Sequence, residues 1–165
     1  MPSLSRHSFP DSIPRVARRS FLLLAALAAG RGSLAAARVG LTNFRFGVVR
    51  EVASGIFEFV AETTRLPRQL KNTGFRWGLG FENPECKPIE WYEVLHLPGE
   101  LKEVSGNFQR TRSQVMRTKT FQSAQASVVD DFWFDDGDPL GNHRIELFVN
   151  GTLRHAVDFQ VVASE

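Results

Sequence analysis

The sequence predicts an all-β domain, either a sandwich or a barrel, over residues 38–165. Short runs of β-forming residues alternate with turn residues, and no long run has the 3.6-residue apolar period of a helix. Fourteen Phe and three Trp residues can fill the core, since each large aromatic side chain buries about 150–250 Å². A length of 165 residues, with ordinary apolar and charged fractions, suits one such domain.

Eight strands are expected, at residues 43–50, 55–63, 74–82, 89–96, 114–121, 127–134, 143–149 and 153–162. The stretch GFRWGLGF alternates most clearly, with large apolar residues on one face and Gly78 and Gly80 on the other. These glycines predict a bulge or the close approach of another backbone. The segment TTRLPRQLKNTG is the one candidate for a helix, and Pro67 favours a loop there.

The last two strands form a hairpin around Asn150 and Gly151. A two-residue loop would divide the large apolar side chains between the two faces, whereas a three-residue loop collects them on one face. We therefore expect a type I turn that Gly151 closes at positive φ, with a G1 bulge. The predicted core face contains Ile145, Leu147, Val149, Leu153, Val157, Phe159 and Val161.

The same pairing puts His143 and His155 on the core face. A neutral, hydrogen-bonded imidazole is the simpler interpretation of these histidines. Together with nearby carboxylates they could instead form a metal or acid–base site, and His143 with Asp135 or Asp138 would be the acid–base pair of a hydrolase. No spacing demands this, and the sequence contains no G-x-S-x-G, H-E-x-x-H or Cys–His signature. We therefore expect no catalytic residues.

The stretch DDFWFDDGDPLG places several carboxylates around a Gly-Asp-Pro turn. Ca²⁺ binds about six to eight oxygen ligands, so Asp135, Asp136 and Asp138 are weak candidates for metal ligands. Their spacing does not match the D-x-[DN]-x-[DN]-G calcium loop, and Asp and Gly are ordinary turn residues. We expect no metal and no cofactor.

The stretch RRSFLLLAALAAG lies outside the strand pattern. Its apolar run, residues 21–29, is nine residues long, which suits a signal peptide and not a membrane span of about 20 residues. Arginines precede the run, and Ala35 and Ala37 form an A-x-A cleavage site. We expect residues 1–37 to be a signal peptide cleaved near Ala37, which leaves no stable membrane span.

Within this leader, ARRSFLL resembles the bacterial twin-arginine signal S-R-R-x-F-L-K at Arg18, Arg19, Phe21 and Leu22. The resemblance implies that the export machinery recognises these four residues and exports an already folded domain to the periplasm or the medium. Arg31, which follows the apolar run, also suits this route. A general secretory signal and an N-terminal helix are the alternatives.

Removal of the leader changes the charge of the protein. The whole chain carries +2 and the leader +4, so residues 38–165 carry −2. A mildly acidic domain has no long-range attraction for nucleic acid or anionic lipid, and we expect no nucleic-acid partner. Basic and acidic side chains cluster separately and are expected on solvated surfaces or on neighbouring strands whose charges offset each other. These residues are Arg110, Arg112, Arg117 and Lys119, and Asp130, Asp131, Asp135, Asp136 and Asp138.

Cys86 is the single cysteine and cannot form an internal disulfide. Its loop contains Pro84 and Pro88, and an incidental free thiol is the simplest interpretation. A reactive thiol, or one that pairs between chains, is the alternative.

The C-terminal stretch DDFWFDDGDPLGNHRIELFVNGTLRHAVDFQVV resembles the closing strands of secreted bacterial immunoglobulin-like domains. The matching residues are Trp133, Gly141, Asn150, Gly151, Phe159 and Val161. With GFRWGLGF and FGVVREVASGIFEF, the order is similar to a family of short exported bacterial domains of unknown function. The resemblance implies an immunoglobulin-like β-sandwich of about seven or eight antiparallel strands, and it supplies no catalytic residues.

These observations favour an exported, non-catalytic module that binds a protein, glycan or small ligand in the bacterial envelope. Immunoglobulin-like sandwiches cluster their loops at two ends, where binding sites form readily. An envelope hydrolase and a subunit of a larger exported complex are the alternatives.

Overall fold

The computed structural model describes residues 39–101 and 107–164. Eleven strands and one short 3₁₀ turn make up the regular structure of these residues. The strands are β1 (Thr42–Ala53), β2 (Ile56–Glu62), β3 (Arg65–Arg68), β4 (Arg76–Glu82), β5 (Ile89–His96), β6 (Phe108–Arg112), β7 (Val115–Thr118), β8 (Phe121–Ser123), β9 (Ser127–Phe132), β10 (Gly141–Val149) and β11 (Thr152–Ala163), and the 3₁₀ turn is Lys71–Thr73. Within these ranges no helix is long and apolar enough to cross a membrane.

The predicted signal peptide lies outside the described residues. Its cleavage and its export route therefore stay predictions. They concern the recognition residues Arg18, Arg19, Phe21 and Leu22, and the cleavage residues Ala35 and Ala37.

Two sheets pack face to face as a sandwich. The first has the strand order β2-β1-β4-β9, and the second has the order β3-β11-β10-β5-β7-β6 with β8 also paired to β5. Strands β1, β4 and β9 lie opposite β11, β10 and β5, and β7 and β6 continue beyond β5, as in the immunoglobulin fold. Trp91 on β5 is buried, as is the tryptophan on the corresponding strand of that fold. The predicted immunoglobulin-like β-sandwich is confirmed.

Aromatic side chains from both sheets fill the core. Trp77 of β4 contacts two rings of its own sheet, with centroids 4.7 Å from Phe132 and 5.7 Å from Phe46. Its ring also lies 5.2 Å from Phe159 of the second sheet. Leu147, from the middle of β10, has no exposed surface. The alternation of side chains along each strand puts these apolar residues on the inner faces.

The second face of β4 carries no side chain at Gly78 and Gly80, and neighbouring groups occupy that space. A Cβ atom on Gly78 would lie 2.4 Å from the carbonyl oxygen of Asp130. A Cβ atom on Gly80 would lie 2.8 Å from the Phe59 ring, which Arg45 in turn covers at 4.5 Å from the centroid. The predicted close approach at these glycines is confirmed.

The turn of the C-terminal hairpin differs from the prediction. Only Asn150 and Gly151 form the loop, and their φ angles are 50° and 73°. Two consecutive positive φ angles are typical of a type I′ turn, so the predicted three-residue type I turn is wrong. Leu153 pairs with Phe148 and is 48% exposed, so its predicted place in the core is also wrong.

The predicted register nevertheless holds along most of the hairpin, because β11 contains a bulge. Arg154 is an extra residue between the pairs Phe148–Leu153 and Leu147–His155. Beyond it, the inward pairs are those expected, including His143 with Phe159. The Asn-Gly pair favours the two-residue turn, and the apolar residues favour the register that buries them. The bulge allows both, because its extra residue shifts the register between the turn and the rest of the hairpin.

Two short strands, β3 and β6, are additional to the eight predicted. Strand β3 contains Pro67, where a loop was expected, and it runs parallel to β11 at the edge of the second sheet. The pairing is therefore not antiparallel throughout. An edge strand tolerates proline because the missing N–H can lie on the unpaired side. The predicted strand at residues 114–121 is divided between β7 and β8, which both pair with β5.

Candidate functional site

An open cleft of about 580 Å³ lies on the second sheet. Strands β5, β10 and β11 contribute most of its wall, because their pairing brings distant parts of the chain side by side. The lining residues are Thr64, His96, Leu97, Asn142, His143, Arg144, Asp158, Phe159 and Gln160. This volume makes the cleft a candidate binding site.

Side-chain hydrogen bonds and ion pairs connect the three strands at the cleft. The Nε2–H group of His96 donates to Glu146 at 3.2 Å, and Nε of Arg144 donates to the other oxygen of Glu146 at 3.0 Å. Nη1 of Arg144 contacts both carboxylate oxygens of Asp158 at 3.1 Å. Burial opposes ionisation of Glu146, yet the hydrogen bonds from Arg144 and His96 outweigh it and lower the pKa of Glu146. The charge of Arg144 is therefore compensated within the protein.

Two exposed amide side chains lie beside these charged groups on the same surface. Asn142 and Gln160 are paired across β10 and β11, directly beside the pair formed by Arg144 and Asp158. Each amide has two hydrogen-bond donors and one acceptor oxygen. The two side-chain pairs therefore present planar, polar groups that can bind a ligand that has both hydrogen-bond donors and acceptors.

His143 lies between the cleft and a smaller cavity inside the sandwich, and it lines both. It is 5% exposed, and its ring stacks on Phe159 with centroids 5.1 Å apart. Nδ1 lies 3.1 Å from the carbonyl oxygen of Gly141. Because a carbonyl oxygen only accepts, Nδ1 carries the proton and Nε2 is an acceptor. Burial lowers the pKa of His143, which favours the neutral imidazole.

The inner cavity has a volume of about 50 Å³. It brings His143 together with Asp135 and Asp138, the combination that the sequence raised for acid–base chemistry. The rest of the wall is mostly apolar and comes from Trp77, Leu95, Leu97, Leu101, Phe108, Met116, Trp133 and Phe134. Such a volume admits water but is far below the roughly 300–1,000 Å³ of sites that enclose small ligands. His155 lies elsewhere, stacked on Phe44 at 4.6 Å.

The three candidate metal ligands, Asp135, Asp136 and Asp138, lie in one turn. Asp138 accepts a hydrogen bond from the backbone N–H of Asp135 at 2.8 Å, while Asp136 is exposed. Burial raises the pKa of Asp138, and the bond from Asp135 opposes that effect. Over the residues that the structure describes, no group of three or more His, Cys, Asp or Glu side chains could hold a metal ion.

Two carboxylates inside the sandwich were missed by the sequence reasoning. Glu93 on β5 has no exposed surface, and Asp130 of β9 pairs with the core residue Leu79 and so points inward. The expectation that Asp130 lies on a solvated surface is wrong. The alternation of side chains along β5 could have predicted the burial of Glu93, because it lies on the same face as Trp91 and Leu95, which are both buried.

The basic and acidic clusters do not lie on neighbouring strands. Arg117 is on β7 in the second sheet, with its guanidinium 3.8 Å from the ring centroid of Tyr92. Asp130 and Asp131 are on β9 in the first sheet, where Arg76 of β4 pairs with Asp131 at 3.3 Å. The alternative that the two clusters lie on neighbouring strands is therefore wrong, although Lys119 of the basic cluster lowers the pKa of Asp130. Cys86 is exposed and free.

Two of the solved structures that are similar to this chain come from Pseudomonas species. An immunoglobulin-like protein from Pseudomonas aeruginosa is 16% identical with a TM-score of 0.48, over 76% of this chain and 99% of that chain. An alkylpurine DNA glycosylase from Pseudomonas fluorescens, bound to DNA that contains an abasic site analogue, is 10% identical with a TM-score of 0.34. That alignment covers 73% of this chain and 30% of the glycosylase. No curated protein sequence matches the chain significantly.

A family model described as the PM0630 beta sandwich domain matches residues 44–162. The match extends from β1 to the last residues of β11 and includes the cleft and the inner cavity. It agrees with the two-sheet architecture. The chain belongs to the PM0630 beta sandwich domain family.

Proposed function

We propose that this domain is a non-catalytic module of the bacterial envelope that binds a neutral, hydroxyl-rich ligand, such as a short glycan, in the open cleft. The observation that carries the proposal is the cleft itself, whose volume of about 580 Å³ falls within the roughly 300–1,000 Å³ typical of small-ligand sites. Polar side chains from three adjacent strands converge there on a rigid sheet.

The chemistry of the lining supports a neutral ligand. The cation of Arg144 is already shared between Glu146 and Asp158, so an anionic ligand would have to compete with two carboxylates for it. The exposed amides of Asn142 and Gln160 offer donors and acceptors that have no charge. Sugar hydroxyl groups both donate and accept hydrogen bonds, which suits this mixed lining.

The geometry around His143 supports binding rather than hydrolysis. A hydrolase would need His143 and a carboxylate of Asp135 or Asp138 beside a substrate. These groups meet at the inner cavity, whose volume of about 50 Å³ leaves no room for a substrate. The Nδ1 proton of His143 is already donated to the carbonyl oxygen of Gly141.

Export to the envelope is the second part of the proposal. It rests on the arginine pair, the short apolar run and the A-x-A site within residues 1–37. The partner in this step is the export machinery, and the destination is the periplasm or the medium. N-terminal sequencing of the protein from an envelope fraction tests it, with a new amino terminus expected near residue 38. Retention of Met1 in that fraction would contradict export by cleavage.

Ligand binding is tested by calorimetry on the exported protein with a panel of neutral oligosaccharides. We expect at least one to bind, and the Asn142→Ala/Gln160→Ala variant to bind it about tenfold to a hundredfold more weakly, because each lost hydrogen bond costs about 1 kcal/mol. A matched control is Gln69→Ala/Gln109→Ala, which removes two exposed amides outside the cleft and leaves affinity unchanged. The proposal is wrong if no neutral oligosaccharide binds, or if both variants bind equally well.

A further inference from the structure

Two acidic side chains project into the sandwich from opposite sheets. Glu93 belongs to the inner face of β5, where its neighbour on β10 is Leu147. Asp130 belongs to the inner face of β9, where its neighbour on β4 is Leu79. The two carboxyl groups interact electrostatically across the interior. An acidic pair in this position places groups whose charge depends on pH between the two sheets.

The pair has few partners to stabilise its charge. The Thr118 hydroxyl donates to Oε2 of Glu93 at 2.9 Å and accepts from the backbone N–H of Glu93 at 2.9 Å. Oε1 of Glu93 and Oδ2 of Asp130 are both shielded from solvent and have no hydrogen-bond partner among the described residues. Asp130 as a whole is only half-buried, but this oxygen is enclosed. Neither carboxyl forms an ion pair with a cation in the described part of the chain.

The surrounding charges do not compensate for the burial. From the end of β7, Lys119 lowers the pKa of Asp130, whereas the adjacent Asp131 raises it. Asp131 is itself paired with Arg76 of β4 and repelled by Glu51 of β1. Strands β5, β7 and β10 present Trp91, Thr118 and Leu147 to Glu93, none of which is charged. Both carboxyl groups are therefore easier to protonate than carboxyls in water.

We propose that Glu93 and Asp130 form a proton-dependent lock between the two sheets, closed while the pair holds its protons and loosened when both groups ionise. A protonated carboxyl can donate a hydrogen bond, whereas two carboxylates can only accept and repel each other. Leu95 on β5 and Met116 on β7 are the next inward residues toward the inner cavity, and both line it. Water that hydrates the ionised pair therefore has a short route from the cavity.

The pH range follows from the two carboxyl groups. Burial, and then the charge of Asp130, raises the pKa of Glu93 to about 8, and burial raises the pKa of Asp130 to about 7. In the unfolded chain these groups ionise near their model values of 4.5 and 3.8. Their contribution to stability is complete below the unfolded-state pKa values and is lost as the pH rises through the folded-state values of about 7 and about 8. Between its unfolded-state and folded-state pKa values, each of the two groups raises the unfolding constant by up to about tenfold for every unit of pH.

The test compares the full chain with Glu93→Gln in urea unfolding followed by tryptophan fluorescence at pH 5, 6, 7 and 8. We expect the unfolding constant of the parent to rise at least about tenfold more than that of Glu93→Gln between pH 5 and 7. Glu82→Gln, which changes the same charge at an exposed position, follows the parent. Hydrogen exchange, corrected for base catalysis, shows faster opening of β5 and β9 at pH 8 than at pH 6 in the parent only.

Should Glu93→Gln fail to fold, Asp130→Asn serves as the second variant with the same expected flattening. The lock is refuted if the folded variant has the same pH dependence as the parent. It is also refuted if the corrected exchange of β5 and β9 is equal at pH 6 and pH 8.

Discussion

Replacement of Gly78 by alanine directly tests how closely β4 approaches β9. The added Cβ atom would lie 2.4 Å from the carbonyl oxygen of Asp130 and 3.2 Å from a methyl group of Val49. Gly78 does not have positive φ, so an alanine fits the backbone conformation itself. The perturbation is therefore a steric collision between two paired strands, with no added cost from a left-handed conformation.

The size of the effect follows from that collision. An ordinary van der Waals contact needs at least 3.4 Å, so the two paired strands must separate locally by about 1 Å. Overpacking costs about 1–3 kcal/mol. We expect about 3 kcal/mol, because the obstacle is a backbone carbonyl and not the end of a flexible side chain. A loss of this size lowers Tm by about 10 °C in a domain of this length.

Urea unfolding followed by tryptophan fluorescence measures the change in the free energy of unfolding. The matched control is Gly40→Ala, whose Cβ atom would meet only the end of the Glu85 side chain at 3.2 Å. We expect this control to change stability by less than about 0.5 kcal/mol. Equal stabilities of the two alanine variants would refute the close packing of β4 on β9.

Three further predictions concern the core, the hairpin and export. Leu147→Ala, at a fully buried position, lowers the free energy of unfolding by about 3 kcal/mol, whereas Leu153→Ala, at a site 48% exposed, changes it by less than about 1 kcal/mol in the same urea assay. Gly151→Ala forces alanine to a φ of 73° and costs about 1–2 kcal/mol; an unchanged urea midpoint would contradict the type I′ turn. Replacement of Arg18 and Arg19 by lysine leaves uncleaved precursor in the cytoplasm, as measured by fractionation and immunoblotting, and unchanged export would favour the general secretory route.

The hairpin shows how far sequence reasoning reaches. The apolar pattern correctly places Ile145, Val157 and Phe159 toward the core, because the two-residue period of a strand is a local property. The same reasoning misplaced Leu153, since it assumed one register from the turn to the strand ends. A bulge at Arg154 changes the register between those regions. The alternation indicates one extra residue in the hairpin but does not show whether it lies in the turn or in a strand.

The candidate site divides in the same way. His143 was predicted on the core face beside a possible carboxylate partner, and the inner cavity brings it together with Asp138. His96 and Arg144 were not singled out, because each is an ordinary polar residue of a strand. They become neighbours only when β5 pairs with β10, and no motif in the sequence between them predicts this pairing.

The sequence by itself determined the class of the domain and the inner faces of its main strands, because alternation, turn residues and aromatic content act locally. Only the tertiary structure decided which strands pair, how the cleft forms on β5, β10 and β11, and that Glu93 and Asp130 share one interior. These features depend on contacts between segments far apart in the chain. Such contacts are selected by the packing of one sheet against the other, which no single segment encodes.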